Sequence, residues 1–391
     1  MKPIGLVTCY FHHNYGSVLQ AYATEMIFKE MNIPFETIAC KTPKTYMKSN
    51  RLAYFIKKIL IGDWKMAIGK IKIKYYRKKY PSSFGQNYKI REKYFEDFIH
   101  SFFHLSHINN TREELNRNAN NYSAILVGSD QLWRTDSVEH GYYTLEWVPD
   151  QIKKIAYSTS FGITKIPWFQ IKKNQRFMNR FDYMALREKS GCELVYQLTG
   201  RKVNVVLDPT LLFTGEQWLH IQNKEAFIKE PYIFCYLLGN NKAQRDFIRK
   251  FREKTNLKIV ALLHLDEYIP SDEDFADITP YNVGPAEFLN LIRNAKYIFT
   301  DSFHCSVFSI LYKKNFYTFS RFSNKAKQNT NTRIDNLLEI TGLQNRKISP
   351  NQNIHDVLNI KSDFLQTEKK LNDLRKQSFD YIQTALKYKS I

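Results

Sequence analysis

The heptapeptide "TDSFHCS" (300–306) places a histidine where proton chemistry is feasible. His304 follows Asp301 and Ser302, one residue into an expected helix. A lone histidine on an apolar face would merely pack. An imidazole oriented by a neighbouring carboxylate gives or takes a proton near neutral pH. Its position favours chemistry: residues 297–301 read as a strand, and ligands in open α/β sheets sit beyond the carboxyl ends of strands. Arg187 closes another such run, "YMALRE" (183–188). A guanidinium buried there needs an anion. Two sources stay open: a carboxylate of the chain, such as Glu188 or Asp208, or a carboxylate or phosphate gripped in a ligand.

Two more strand-end loops carry polar groups. In "YFHHNYGSVLQ" (10–20), Asn14, Gly16 and Ser17 stand where a helix begins. They suit either helix capping or an anion approaching free N–H groups. His12 and His13 lie in the same loop, but no acid or third ligand is near them in sequence, so no metal site is expected. In "VGSDQLW" (127–133), Ser129 and Asp130 belong to a tight turn, and Gln131 and Trp133 have the character of sugar-binding groups.

The elements that must hold these loops alternate. A strand at 4–9, a helix at 17–31 and a strand at 35–40 form a βαβ opening. The alternation resumes with runs at 123–130, 154–162 and 183–188. A second set begins near 203–213 and continues with strands at 232–238, 258–263, 297–301 and 315–320. The expected class is α/β: two Rossmann-like domains, 1–206 and 207–391, facing a cleft. The second domain carries a terminal helix at 362–388 with an apolar stripe.

Composition narrows the rest. With 391 residues, 43% of them hydrophobic, the chain can build a sizeable core. It holds no apolar run long enough to span a bilayer, and "MKPIGLVTCYFHHN" lacks the form of a signal peptide, so a cytoplasmic protein is expected. Five scattered cysteines form no CxxC pair and fit a reduced compartment. The net charge of +20 is uneven: residues 41–93 hold sixteen Lys or Arg against Asp63 and Glu92. This stretch interleaves basic, apolar and aromatic residues, which favours an anionic membrane surface as its partner. A solvated basic helix pair is the plain alternative. Nucleic acid is not expected, because no zinc-finger or RNP-like pattern accompanies the charge.

In order, "NYGSVLQAYA", "VGSDQLW", "STSFG", "LREKS", "LDPTLL", "FTDSFHCSVFSI" and "NTRIDNLLEITGL" resemble the polysaccharide pyruvyl transferase family. The resemblance spans most of residues 4–345. It implies a GT-B-like fold, phosphoenolpyruvate as donor rather than any bound cofactor, and a sugar of a surface polysaccharide as acceptor, such as a polyprenyl-diphosphate-linked precursor at the inner membrane face. It makes His304 the donor-site histidine and Arg187 a donor contact. Many members read Arg-Leu-His where this chain has Ser302-Phe303-His304, so one cation is missing; Arg333 in "NTRID" is the candidate to replace it. On this view His304 is the general acid, Arg187, Arg333 and Ser302 hold the donor, and the 14–17 and 129–131 loops line the acceptor side. A glycosyltransferase using a nucleotide sugar is the alternative enzyme, and a non-catalytic membrane scaffold a third reading.

Overall fold

A computed structural model describes residues 2–40, 75, 86–263, 269–321 and 332–386. Most of the basic stretch 41–93, for which a membrane-surface partner is expected, therefore lies outside the described residues.

Two parallel sheets organise the chain. The first contains β1 (Ile4–Val7), β2 (Phe35–Thr37), β3 (Ala124–Val127), β4 (Lys153–Thr159), β5 (Tyr183–Leu186) and β6 (Asn204–Val205) in the order β2-β1-β3-β4-β5-β6. The second contains β7 (Tyr232–Tyr236), β8 (Lys258–Ala261), β9 (Tyr297–Thr300) and β10 (Asn315–Thr318) in the order β10-β9-β7-β8. β1 (IGLV) and β3 (AILV) are buried along their whole length. Continuous apolar runs of this kind suit a parallel sheet covered on both faces. The result is the expected pair of Rossmann-like α/β domains in a GT-B-like arrangement. One detail differs: residues 204–205, read as the start of the second set, form the sixth strand of the first sheet.

Six helices matter for the site: α1 (Tyr15–Glu30), α2 (Gln86–Phe102), α3 (Pro285–Asn294), α4 (Phe303–Leu311), α5 (Thr332–Thr341) and α6 (Phe364–Leu386). α1 leaves β1 and meets the second domain. Tyr15 stacks on Phe288 of α3 at 4.5 Å, and its hydroxyl donates to the Val283 carbonyl at 2.9 Å. α2 adds another tie, since Arg91 donates to the carbonyls of Leu263 (2.9 Å) and Pro280 (3.2 Å). α6 returns to the first domain. Its Ser378 hydroxyl accepts from the Leu207 amide at 3.0 Å, and Tyr381 donates to the Ala156 carbonyl of β4 at 2.9 Å. One apolar core runs through both domains, from Leu6 and Leu126 to Phe288 and Phe308. These ties hold the strand ends of the two sheets face to face.

Candidate active site

Ser302, two residues past β9, caps α4, its side chain accepting from the Cys305 amide at 3.5 Å. This cap turns the chain so that His304, in the first turn of α4, reaches the interface, where it is buried with 6% of its surface exposed. Gly16 explains how the ring fits. A Cβ at Gly16 would stand 2.0 Å from His304 Nδ1, so only glycine lets α1 approach the imidazole. Asn14 caps α1 by accepting from the Ser17 amide at 3.2 Å, and it also lines the cavity described below.

The carboxylate beside His304 is not its sequence neighbour. Asp301 accepts from the amides of Leu238 and Gly239, each at 2.7 Å, and pairs with Arg321. Asp208, from the segment joining the two sheets, instead places Oδ2 3.5 Å from His304 Nε2. Oδ2 also accepts from Arg187 at 2.8 Å and from the Ser129 hydroxyl at 2.8 Å. Sequence reading had considered Asp208 only as a partner for Arg187. Nothing in one sequence signals that "LDPT" and "SFHC" meet, because they lie far apart along the chain.

Arg187 is only 4% exposed and serves three carboxylates: Asp208 at 2.8 Å, Asp130 at 3.7 Å and Glu188 at 3.9 Å. Of the two anion sources left open, the structure displays the chain's own. The Nε and one terminal nitrogen of the guanidinium remain buried without a hydrogen bond. Burial opposes charge on Arg187, but the three carboxylates outweigh it and hold the group protonated above its usual range. Burial likewise opposes ionisation of Asp130 and Asp208. Arg187 and His304 overcome it, and both acids lie well below the usual carboxylate range. Glu188 goes the other way, because its burial outweighs Arg187.

A cavity of about 720 Å³ opens in front of this layer. Its inner wall includes Ser302, Phe303, His304, Arg321 and Arg333 from the second domain. From the first domain come Asn14, Ser17, Asp130 and Gln131. Arg187 and Ser129 stand behind that wall, and Gly16 backs the histidine. Phe303 lies between two guanidinium groups, with Arg187 Cζ 4.7 Å and Arg333 Cζ 5.9 Å from its ring centre. Among the described residues no carboxylate pairs with Arg333, and its Nε is buried without a hydrogen-bond partner. Burial and the charge of Arg187 lower its pKa to about 9. A buried cation on a cavity wall, with no carboxylate paired to it among the described residues, suits an anion.

Asp130 has a left-handed backbone, φ +79°, uncommon for a residue other than glycine. The strain aims its carboxylate at the cavity, where Oδ2 accepts from Ser17 at 2.7 Å. Gln131 reaches the same wall, and its amide nitrogen fills the space that a Cβ at Gly162 would occupy, 2.1 Å away. Trp133 requires a correction. It is fully buried, packs on Phe161, Phe177 and Phe181, and donates to the Tyr143 carbonyl at 3.1 Å. It is a core residue and not a sugar platform.

At the outer rim His13 pairs with Glu92 of α2 at 3.6 Å, and Glu96 brings a third donor atom within 4.8 Å of theirs. The acids that sequence reading did not find near His13 thus arrive from about eighty positions along the chain. Arg91 and Arg321 also line the cavity and were not singled out by sequence; Arg91 had been counted among the basic stretch.

Arg321 and Arg333 line one cavity with the His304 imidazole, beyond the strand ends of both sheets. The polysaccharide pyruvyl transferase family model matches residues 14–324. The chain belongs to that family. It is accordingly a transferase, and the match takes in Asn14, Asp130, Arg187, Asp208 and His304, while Arg333 lies beyond it. No curated protein sequence matches the chain. Solved structures of similar shape include the UDP-GlcNAc 2-epimerase of Neisseria meningitidis, with 10% identity, TM-score 0.47, and coverage of 98% of this chain and 100% of that one. The UDP-GlcNAc 2-epimerase of Methanocaldococcus jannaschii has 14% identity, TM-score 0.47, and coverage of 96% and 100%. MurG of Acinetobacter baumannii has 8% identity, TM-score 0.45, and coverage of 97% and 99%.

Proposed function

We propose that this transferase takes its pyruvyl group from phosphoenolpyruvate and places it as a ketal across two hydroxyls of a sugar. The observation that carries the proposal is Arg333, a guanidinium on the cavity wall that no carboxylate pairs with among the described residues and that shares the Phe303 ring with Arg187. It offers the charge that the Ser302-Phe303-His304 sequence lacks where many relatives carry Arg-Leu-His. Phosphoenolpyruvate has a carboxylate and a phosphate, and Arg333 and Arg321 would hold them beside Ser302. Arg187 contributes from behind the wall.

His304, protonated, gives its proton to the methylene carbon, and positive character develops at the carbon bearing the phosphate. A positioned acid of this kind contributes about 10²–10⁴-fold. The first sugar hydroxyl attacks that carbon and loses its proton, which restores His304. The bond to phosphate then breaks, the second hydroxyl closes the ring, and its proton leaves with the phosphate. Atoms and charge balance with one ketal and one inorganic phosphate per donor. Asp130, Ser17, Asn14 and Gln131 face the acceptor.

The acceptor in this reading is a sugar on a polyprenyl diphosphate. The excess of basic residues in 41–93 supports a peripheral site on the anionic inner face of the membrane. Among the described residues no helix is long and apolar enough to cross a membrane. Titration with phosphoenolpyruvate and, separately, with UDP- and GDP-sugars tests the donor. Saturable binding of phosphoenolpyruvate that weakens in Arg333→Gln is expected. Binding of a nucleotide sugar alone would overturn the reading in favour of glycosyl transfer.

A further inference from the structure

We propose that Asp208 is a positioning residue for His304. Its anchored carboxylate faces ring nitrogen Nε2 and fixes the orientation and tautomer of the ring that gives the proton. This rests on the reading of His304 as the proton donor, but its physical content is a property of the protein alone.

Asp208 is 1% exposed and immobilised from several sides. Its Oδ1 accepts from the Thr210 amide (3.1 Å) and hydroxyl (2.6 Å). Its Oδ2 takes Arg187 and Ser129, both at 2.8 Å, and faces His304 Nε2 at 3.5 Å. Nε2 is buried and has no hydrogen bond within the usual limits, so Asp208 is the acceptor placed to receive its proton. Nδ1 lies against the open Cα of Gly16, at the start of α1. The ring is thereby held between a carboxylate and a helix end. The arrangement also explains why Arg187 is buried. It neutralises Asp208 and holds its position, and so acts on the chemistry through two intermediaries. The other charged groups in the neighbourhood are Asp130 after β3, Glu188 after β5, Asp301 and Arg321 of the second domain, and Arg333 on α5.

The test uses the full chain with ¹⁵N-labelled histidine, and His304→Gln to assign the signals. In the unsubstituted protein the neutral His304 ring is expected as the Nε2–H tautomer. In Asp208→Asn that preference for the Nε2–H form should weaken. With a competent donor and acceptor, Asp208→Asn should lower kcat about tenfold or more, with KM for phosphoenolpyruvate changed less than twofold. Ser129→Ala, which removes one anchor and keeps the carboxylate, should give a smaller loss in kcat. A neutral His304 in the Nδ1–H form would overturn the proposal, and this needs no variant to fold. So would an unchanged tautomer preference in Asp208→Asn, or a loss confined to KM. Should phosphoenolpyruvate prove not to be the donor, the functional reading falls while the tautomer result still decides the role of Asp208.

Discussion

Replacing Gly16 with alanine adds one methyl group and should silence the enzyme while leaving it folded. The added Cβ would lie 2.0 Å from His304 Nδ1, 2.6 Å from Cγ and 2.9 Å from Cε1. Ordinary contact begins at 3.4 Å, so the ring must retreat by about 1.4 Å. It has little room, because Asp208 faces its other nitrogen and Phe303 lies edge-on at 5.1 Å. A displacement of about 1 Å at a reacting group costs on the order of 10²-fold in rate, or about 2.7 kcal/mol of activation energy. Stability should change far less. Alanine is favoured over glycine in a helix by about 1 kcal/mol, which offsets part of an overpacking cost of about 1–3 kcal/mol. The assay is phosphate release from phosphoenolpyruvate with a sugar acceptor, beside urea denaturation. Gly191→Ala is the control, since its Cβ would find nothing nearer than 3.4 Å. Full activity in Gly16→Ala would refute the placement of the imidazole against α1.

Arg333→Gln should weaken phosphoenolpyruvate binding by about 10- to 150-fold, the worth of a charge-assisted hydrogen bond of about 1.5–3 kcal/mol, as read by calorimetry. Arg91→Ala leaves the carbonyls of Leu263 and Pro280 without their donor and should cost about 1–3 kcal/mol in urea unfolding. Trp133→Phe should reduce stability, through a core cavity and an unpaired Tyr143 carbonyl, without a matching rise in KM for the acceptor.

The backbone was easier to read than the site. Short apolar runs such as "IGLV" and "AILV" admit few interpretations once they alternate with helical patterns, and both domains follow from them. The two-residue strand Asn204–Val205 was misjudged because so short a pairing leaves no periodic signal. His304 was legible from its place after a strand. Its carboxylate was not, because Asp208 comes from the link between the sheets, far from His304 along the chain. Arg187 shows the same limit: sequence named both its available acids, Glu188 and Asp208, but could not tell that it takes both and adds Asp130. Trp133 misled because an indole beside Gln131 has the same composition whether it faces a sugar or Phe177.

The central claim is that His304 protonates phosphoenolpyruvate in a cavity where Arg333 holds the donor. It is tested most directly by incubating the chain with phosphoenolpyruvate and polyprenyl-diphosphate-linked sugars while following acceptor mass and free phosphate. The account predicts one pyruvyl ketal gained for each phosphate released, lost in His304→Gln and recovered in no other donor's presence. Transfer at an undiminished rate by His304→Gln, or transfer of a glycosyl group from a nucleotide sugar, would contradict it.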